Sequence, residues 1–259
     1  MDTIAHRLLL LISVSLFLSA LVMSRSALLI VGGEDADYGS IQAAIDAAHA
    51  GDAIEVQNGT YYENIVVDKA LVLRGIDHPV VDAGGEYARG PAIRLTADNV
   101  VLEGFVATNS TNMAGDPYAG AGIEVRSSNN LIINNTILNN YRSGIKLFDC
   151  GNNTIRQNSI SKNFEGIYVY QSRFNNISNN KIIDNSGNGI YLRLDSENNS
   201  IDSNDINRNF NGVLIMASGN NTITGNTFVE NYGDSIQVWD DLKENTIDGN
   251  DILEKGTAG

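Results

Sequence analysis

The chain has 259 residues, a formal net charge of −14 and 42% hydrophobic residues. Its acidity, with no basic cluster, excludes nucleic acid and an anionic membrane surface as partners. The single cysteine, Cys150, excludes an internal disulfide bond. A chain of this length holds one or two domains, and the repeats described below favour one elongated body.

The amino-terminal segment predicts export. Residues 8–23 are apolar apart from three serines and follow His6 and Arg7. This run is short for a membrane span but has the length of the apolar core of a signal peptide. We predict that residues 1–26 are a signal peptide, with an uncleaved membrane anchor as the alternative. The predicted location is secreted, extracytoplasmic or cell-surface.

Residues 27–75 are predicted to form an amino-terminal cap and the first coil of a solenoid. Ser40 is the predicted N-cap of a helix from Ile41 to about Ala50. The open end of a solenoid exposes its core, so an amphipathic helix at this end indicates a cap. The apolar face of this helix consists of Ile41, Ala44, Ile45 and Ala48.

Residues 76–259 are predicted to form the body of the solenoid, with six clear repeats from residue 122. The units are spaced 22–24 residues apart, a period typical of solenoids. Each carries up to three asparagines at fixed positions: Asn130, Asn153, Asn175, Asn199, Asn221 and Asn245; Asn135, Asn158, Asn180, Asn204, Asn226 and Asn250; Asn140, Asn163, Asn185, Asn209 and Asn231. The same spacing assigns Asn99, Gly104 and Asn109 to these positions in an earlier, divergent coil, followed by an insertion at residues 110–120.

Each unit opens with a short alternating strand after Gly or Ser, and none has ten residues of helical periodicity. Three short strands that turn at Asn or Gly predict one coil of a parallel β-helix. Asparagine tolerates the left-handed backbone of such turns, and stacked asparagines can hydrogen-bond as a ladder.

These repeats resemble the right-handed parallel β-helix proteins of the NosD-type, carbohydrate-binding and sugar-hydrolysis (CASH) branch, which is common among secreted proteins. Residues 38–75 are similar to the cap that NosD-type proteins share with pectin methylesterases. The resemblance implies an all-β, single right-handed parallel β-helix with an amino-terminal amphipathic capping helix. Several chemistries share this architecture, so the resemblance implies no particular reaction.

Two columns of outward side chains on the opening strands are the candidate ligand-binding face. Residues that alternate outward stack from coil to coil at roughly 4.8 Å, which predicts a broad exposed patch rich in aromatic and basic side chains. High strand propensity alone is the structural alternative. The first column is Glu124, Lys146, Tyr168, Tyr191, Leu214 and Gln237, and the second is Arg126, Phe148, Tyr170, Arg193, Met216 and Trp239.

Acidic residues flank the two columns and raise the question of catalysis. A glycosidase needs two carboxylates about 5–10 Å apart, and Asp149 and Asp195 lie two coils apart. No sequence motif of polygalacturonases, pectate lyases or pectin methylesterases is present, and the repeats contain no histidine, so enzymatic activity is uncertain and disfavoured. A calcium-dependent lyase or a hydrolase remains the enzymatic alternative. The flanking acids are Asp149, Asp195, Glu197, Asp240 and Asp241.

No cofactor is predicted, and the resemblance to NosD implies copper by the family name alone. Copper sites combine Cys, Met and His, and Cys150 occupies the repeat position of Ser128, Ser172 and Ser218, which indicates a core-facing residue.

The sequence therefore favours an exported protein that binds polysaccharide or glycoconjugate on its outward strand face. Alternatives are a lyase or hydrolase for uronic polysaccharides, an accessory protein for maturation of a copper or other metalloenzyme, and a structural envelope component. No cap is recognisable after the sixth unit, so end-to-end self-association is also predicted.

Overall fold

The computed structural model describes residues 26–84, 90–112, 120–239 and 244–253. Its strands form three parallel sheets around one core, which confirms the predicted all-β solenoid. Nearly all of the predicted signal peptide lies outside the described residues, as do most of the insertion at 110–120, Asp240, Asp241 and the last six residues.

Successive coils contribute one short strand to each sheet, and every strand pairs in parallel with its counterparts in neighbouring coils. Within the described residues the first sheet has ten strands: β1 (Leu28–Val31), β2 (Ala53–Val56), β5 (Val72–Gly75), β8 (Val101–Glu103), β11 (Leu131–Ile133), β14 (Thr154–Arg156), β17 (Asn176–Ser178), β20 (Ser200–Asp202), β23 (Thr222–Thr224) and β26 (Thr246–Asp248). The described part of the second sheet has nine strands: β3 (Thr60–Tyr61), β6 (Val80–Asp82), β9 (Val106–Thr108), β12 (Thr136–Leu138), β15 (Ser159–Ser161), β18 (Lys181–Ile183), β21 (Asp205–Asn207), β24 (Thr227–Val229) and β27 (Asp251–Leu253). In the third sheet eight strands are described: β4 (Ile65–Val67), β7 (Ile93–Leu95), β10 (Ala121–Val125), β13 (Ser143–Phe148), β16 (Glu165–Tyr170), β19 (Ile190–Arg193), β22 (Val213–Met216) and β25 (Ile236–Trp239).

The core is a set of aliphatic columns that run along the solenoid. β-Branched side chains suit such positions because they pack well on a pleated surface. Each coil covers the core residues of the coil before it, as expected for stacked repeats. In the first sheet the central column is fully buried over eight coils and consists of Ile54, Leu73, Leu102, Ile132, Ile155, Ile177, Ile201 and Ile223.

The repeated asparagines form three hydrogen-bonded ladders, as predicted. The side-chain oxygen of Asn180 accepts from both the backbone N–H and the side-chain amide of Asn158, each at 3.0 Å. The side-chain amide of Asn180 donates in turn to Asn204 and to the backbone carbonyl of Ile155. Buried polar groups are costly unless they are bonded, and the ladder satisfies the backbone groups left unpaired where the strands turn.

The left-handed backbone of the turns lies one residue before the ladder asparagines and not at them. Asn152, Gln157 and Lys162 have φ values of 56°, 57° and 55°, whereas Asn153, Asn158 and Asn163 follow them and form the ladders. Tolerance of a left-handed backbone therefore explains asparagine at the residue before a ladder position, whereas ladder hydrogen bonding explains asparagine at the ladder position itself.

The predicted register of the divergent coil is wrong by one residue. Asn99, Gly104 and Asn109 have positive φ and are the residues before the ladder positions. The ladder positions themselves are held by Val100, Phe105 and Ser110, whose backbone N–H groups donate to Asn130, Asn135 and Asn140.

The glycines that open the third-sheet strands are required by close packing. A Cβ atom at Gly144 would lie 2.5 Å from Cγ2 of Ile160 and 2.7 Å from the carbonyl oxygen of Gly166. Equivalent close approaches occur at Gly122, Gly166, Gly189 and Gly212.

The helix α1 (Ile41–Ala47) contacts the edge strands β1 and β4 and buries Ile41, Ala44 and Ile45 against the core. Ser40 is its N-cap, as predicted, and Glu63 accepts hydrogen bonds from the N–H groups of Ile41 and Gln42. The helix ends three residues earlier than predicted, because Ala48 is extended and Asp52 accepts from the N–H groups of His49 and Ala27. No helix in the described ranges is long and apolar enough to cross a membrane.

Candidate functional site

The outer face of the third sheet brings the two predicted columns together. Parallel pairing in register places Lys146 between Glu124 and Tyr168, and Phe148 beside Tyr170. The same register continues through β19, β22 and β25, so both columns run along the solenoid as predicted.

The prediction that both columns are exposed is wrong for the first. Glu124, Lys146, Tyr168, Tyr191 and Leu214 are all buried, and only Gln237 at the end of the column is half-buried. Side chains stacked at strand spacing shield one another, and second-column residues lie over the first. Tyr168, Tyr191 and Leu214 form an apolar cluster separate from the main core, and Tyr170 and Met216 pack against it.

Glu124 lies at the centre of a cluster of cations. Its carboxylate accepts a hydrogen bond from Arg94 Nε at 2.7 Å and one from Arg126 at 2.9 Å, and Lys146 Nζ lies 3.6 Å away. Burial opposes ionisation of this carboxyl group, but the Arg126 hydrogen bond and the three positive charges outweigh it and lower the pKa of Glu124. Sequence reasoning missed Arg94, which the register of β7 with β10 places in the first column.

The second column is partly exposed and contains stacked rings. Phe148 and Tyr170 lie parallel, with centroids 5.3 Å apart and planes within 6°, and the guanidinium carbon of Arg126 lies 4.6 Å from the Phe148 centroid. Trp239, at the end of the column, is 50% exposed. The Tyr170 ring and the Arg126 guanidinium cover the faces of Phe148, so this ring presents its edge to solvent.

The described flanking acids, Asp149, Asp195 and Glu197, lie at the corner between the third and first sheets. Asp149 and Asp195 are exposed and line a cleft of about 440 Å³ together with Arg173, which belongs to the coil between them. Arg173 Nε donates to the backbone carbonyl of Asp195 at 3.0 Å. Glu197 is half-buried, and its carbonyl accepts from the N–H of Phe174.

A third column, made of polar side chains, lies beside the opening glycines. Sequence reasoning missed it. The buried carboxylate of Glu165 accepts from the backbone and side-chain N–H groups of Asn188 at 2.8 and 3.0 Å. Burial raises the pKa of Glu165, although the Asn188 hydrogen bonds oppose this shift. Asn188 then accepts from Asn211, which accepts from the N–H of Asp234. The shared position before each opening Gly or Ser was the available signal.

The described residues do not supply a donor set that suits copper. They contain no group of three or more His, Cys, Asp and Glu side chains able to hold a metal ion. Cys150 is buried beside Ser172 and Asn153, and burial raises the pKa of its thiol. The sulfur of Met216 accepts from Tyr191 Oη at 3.5 Å.

Cys150 faces the core, as predicted, but its equivalent residue in the preceding coil differs from the predicted one. Asn130 donates to Ser127, as Asn153 donates to Cys150, so Ser127 rather than Ser128 is its equivalent in the preceding coil.

Comparison with known proteins agrees with this architecture. A family model described as periplasmic copper-binding protein (NosD) matches residues 52–256. A cell surface glycoprotein of Methanothermus fervidus is 31% identical over 167 residues, which are 60% of this chain and 26% of that protein. The chain thus spans about a quarter of the length of this relative.

Solved structures share the fold at low sequence identity. Pectate lyase Pel9A has a TM-score of 0.63 at 16% identity, over 93% of this chain and 83% of that one. XylC, solved with xylose, has a TM-score of 0.65 at 12% identity, over 88% and 67%. The periplasmic alginate epimerase AlgG has a TM-score of 0.59 at 16% identity, over 82% and 52%. Together the family match, the ladders and the three parallel sheets show that this chain belongs to the NosD family of right-handed parallel β-helix proteins.

Proposed function

We propose that this chain is an exported β-helix protein that binds polysaccharide or glycoconjugate along the outer face of its third sheet. One observation carries the proposal: among the described residues, every aromatic side chain at an outward strand position lies on that sheet. These residues are Phe148, Tyr168, Tyr170, Tyr191 and Trp239.

This restriction argues against strand propensity as the explanation of the aromatic columns. Propensity acts on every strand, so it would distribute aromatic residues over all three outer faces. The outward positions of the first and second sheets instead carry mostly short, polar and aliphatic side chains, such as Thr154, Ser178, Thr222, Ser159 and Asn207. A single face rich in aromatic and arginine side chains is typical of a binding surface.

The partly exposed second column supplies the contacts for such a ligand. Three contact groups follow one another along the solenoid axis, one per coil: the exposed guanidinium of Arg126, the edge of Phe148 and the hydroxyl-bearing edge of Tyr170. A surface with one binding position per coil suits a polymer with one repeating unit. The buried Tyr168 and Glu124 beneath it hold these side chains in place, which reduces the entropy lost on binding.

Export is supported by the apolar run at residues 8–23 and by the relatives described as periplasmic and as a cell surface glycoprotein. Labelling of intact cells with a membrane-impermeant biotin reagent tests this part of the proposal. The reagent should modify the chain in intact cells, and labelling only after cell lysis would contradict export.

The binding proposal is tested on a glycan array with the wild-type protein and the double variant Phe148→Ala/Tyr170→Ala. Both rings are only half-buried, so the variant should fold. We expect a loss of binding of about tenfold or more, since two aromatic contacts of about 0.5–1.5 kcal/mol each are removed. The matched control is Tyr62→Ala, which removes a ring that is 72% exposed at the capped end.

Equal binding by the wild type and the double variant would show that this column is not the site. If no glycan binds the wild type, the carbohydrate proposal fails.

Turnover of a uronic polysaccharide is the second candidate, and one observation favours it. Asp149 and Asp195 flank Arg173 in one cleft, on coils two steps apart. Two strand spacings are about 9–10 Å, close to the carboxylate separation of inverting glycosidases. Release of reducing ends or unsaturated sugars from pectate or alginate, abolished in Asp149→Asn/Asp195→Asn, would support it. A wild-type protein that releases neither product would contradict it.

A further inference from the structure

The corner between the second and third sheets alternates aromatic residues with glycines. Phe164, Gly187, Phe210 and Gly233 occupy the same place in four successive coils. Their backbones are joined because Gly187 N donates to Phe164 O and Phe210 N donates to Gly187 O, at 2.6 and 2.8 Å. The two phenylalanines are therefore two coils apart, roughly 10 Å by strand spacing, and a glycine occupies the equivalent position between them and the one after Phe210.

A cleft of about 630 Å³ opens at this corner and reaches the end of the second column. Phe164, Phe210 and Trp239 line it and are 40%, 56% and 50% exposed. Leu214, the buried end of the apolar cluster, also lines it. Phe210, unlike Phe148, has a glycine at the equivalent position of both neighbouring coils. One face of Phe164 is covered, because the guanidinium carbon of Arg142 lies 4.1 Å from its ring centroid, so Phe210 and Trp239 offer most of the ring surface to a ligand.

The polar groups of the cleft favour hydroxyl groups as partners. Asn188 and Asn211 are held in place by the chain of hydrogen bonds that starts at the buried Glu165. Among the residues that the structure describes, the side chains of Asp234, Gln237 and Trp239 make no hydrogen bond or ion pair, so their donors and acceptors are available.

The charge of the lining selects among ligand classes. The described lining contains no lysine or arginine and carries the carboxylate of Asp234. The nearby cation Arg142 lies over Phe164 and faces the carboxyl group of Glu165 at 3.8 Å, so the lining disfavours an anionic sugar. The amide and indole N–H groups donate hydrogen bonds, which a cation cannot accept. Flat apolar rings combined with mixed donors and acceptors match a neutral ring whose faces carry C–H groups and whose rim carries hydroxyls.

We propose that this cleft is a binding site for a neutral sugar ring. The inference rests on the proposed function and specifies the ligand class at one end of the face.

The only tryptophan of the chain lies in the cleft, so its fluorescence reports on this site alone. The full mature chain is titrated with cellohexaose, xylohexaose and chitohexaose as neutral probes and with hexagalacturonate as the anionic probe. At least one neutral probe should shift the emission in a saturable way, with hexagalacturonate at least tenfold weaker.

Two variants and one control locate the effect. Phe210→Ala removes one aromatic wall, and Asp234→Ala removes an acceptor without changing a buried side chain. Each should weaken the neutral probe about tenfold, while Tyr62→Ala should leave it unchanged. Circular dichroism of each variant confirms folding, and Asp234→Ala provides the test if Phe210→Ala does not fold.

The remaining outcomes overturn the inference. A shift produced by hexagalacturonate alone would contradict the neutral ligand class. Array binding that depends on Phe148 and Tyr170 but leaves the tryptophan emission and the Phe210→Ala variant unaffected would exclude the cleft while the proposed function stands. An absence of binding in both experiments would contradict both proposals.

Discussion

Ile182 and Ile252 occupy the same place in the repeat but lie in different environments. Ile182, in a middle coil, is fully buried, whereas Ile252, in the last described coil, is 47% exposed. Ile247 is likewise 44% exposed, although its equivalent Ile223 is fully buried. At the opposite end, α1 covers the core with Ile41 and Ile45. The difference shows that each coil of this solenoid obtains its burial from the neighbouring coils, as expected for nearest-neighbour packing.

We expect the largest difference in stability between alanine variants of Ile182 and Ile252. Ile182→Ala should lower the free energy of unfolding by about 2–5 kcal/mol, because it leaves a cavity between two coils. Ile252→Ala should cost about 1 kcal/mol or less, because much of this side chain is already in contact with water. Denaturation with guanidinium, followed by circular dichroism, measures both.

Equal costs would indicate that another surface covers Ile252 in solution. Dependence of the Ile252→Ala effect on protein concentration would then support the predicted end-to-end self-association, which stays a prediction.

The asparagine ladders provide a second comparison, with a smaller expected difference in stability. Asn180→Ala leaves the N–H of Asn158 and the carbonyl of Ile155 buried without their partners, at a cost of about 2–4 kcal/mol. Asn250→Ala removes the acceptor of Asn226 at the last described coil, where water can replace it, so we expect about 1 kcal/mol. The same denaturation experiment measures both variants, and a larger effect at Asn250 would contradict the nearest-neighbour explanation.

The smallest expected effect is one of pH. Glu165 and Asp234 hold equivalent positions, but Glu165 is buried with a raised pKa and Asp234 is exposed. A folded-state pKa above the unfolded value stabilises the fold below the unfolded pKa, and this contribution is lost as pH rises through the folded pKa. Glu165→Gln should therefore gain stability relative to the wild type as pH rises from acidic towards neutral.

Thermal denaturation at a series of pH values measures this difference, with Asp234→Asn as the exposed control. A difference between Glu165→Gln and the wild type that stays constant with pH would show that Glu165 does not ionise differently in the folded and unfolded states.

Much of the fold could be predicted because it depends on short-range pattern. The spacing of Asn153, Asn158 and Asn163 defines three turns per coil, and the alternation after Gly144 or Gly166 places one isoleucine inward. Ser40 marks the helix start through a local hydrogen bond to Ala43. Where the asparagines were missing, as around Asn99, the pattern allowed a slip of one residue, and only the pairing of β8 with β11 resolved it.

The candidate site was predicted less completely because its properties depend on residues about 22–30 positions apart. Alternation placed Lys146 and Tyr168 on the outer face, but their burial follows from second-column side chains that lie over them. Arg94 belongs to the site because it contacts Glu124. Phe164 and Phe210 line the cleft, and glycines occupy the equivalent positions between and beside them.

The sequence by itself determined a solenoid of asparagine-turned coils, the inward and outward faces of its strands and the identity of the two columns, because these follow from a fixed period and a period-two alternation. Only the tertiary structure decided which outward residues are buried, that Glu124 is held by three cations, and where a cleft opens. These properties arise between coils, where the stacking of side chains distant in sequence sets solvent access and charge.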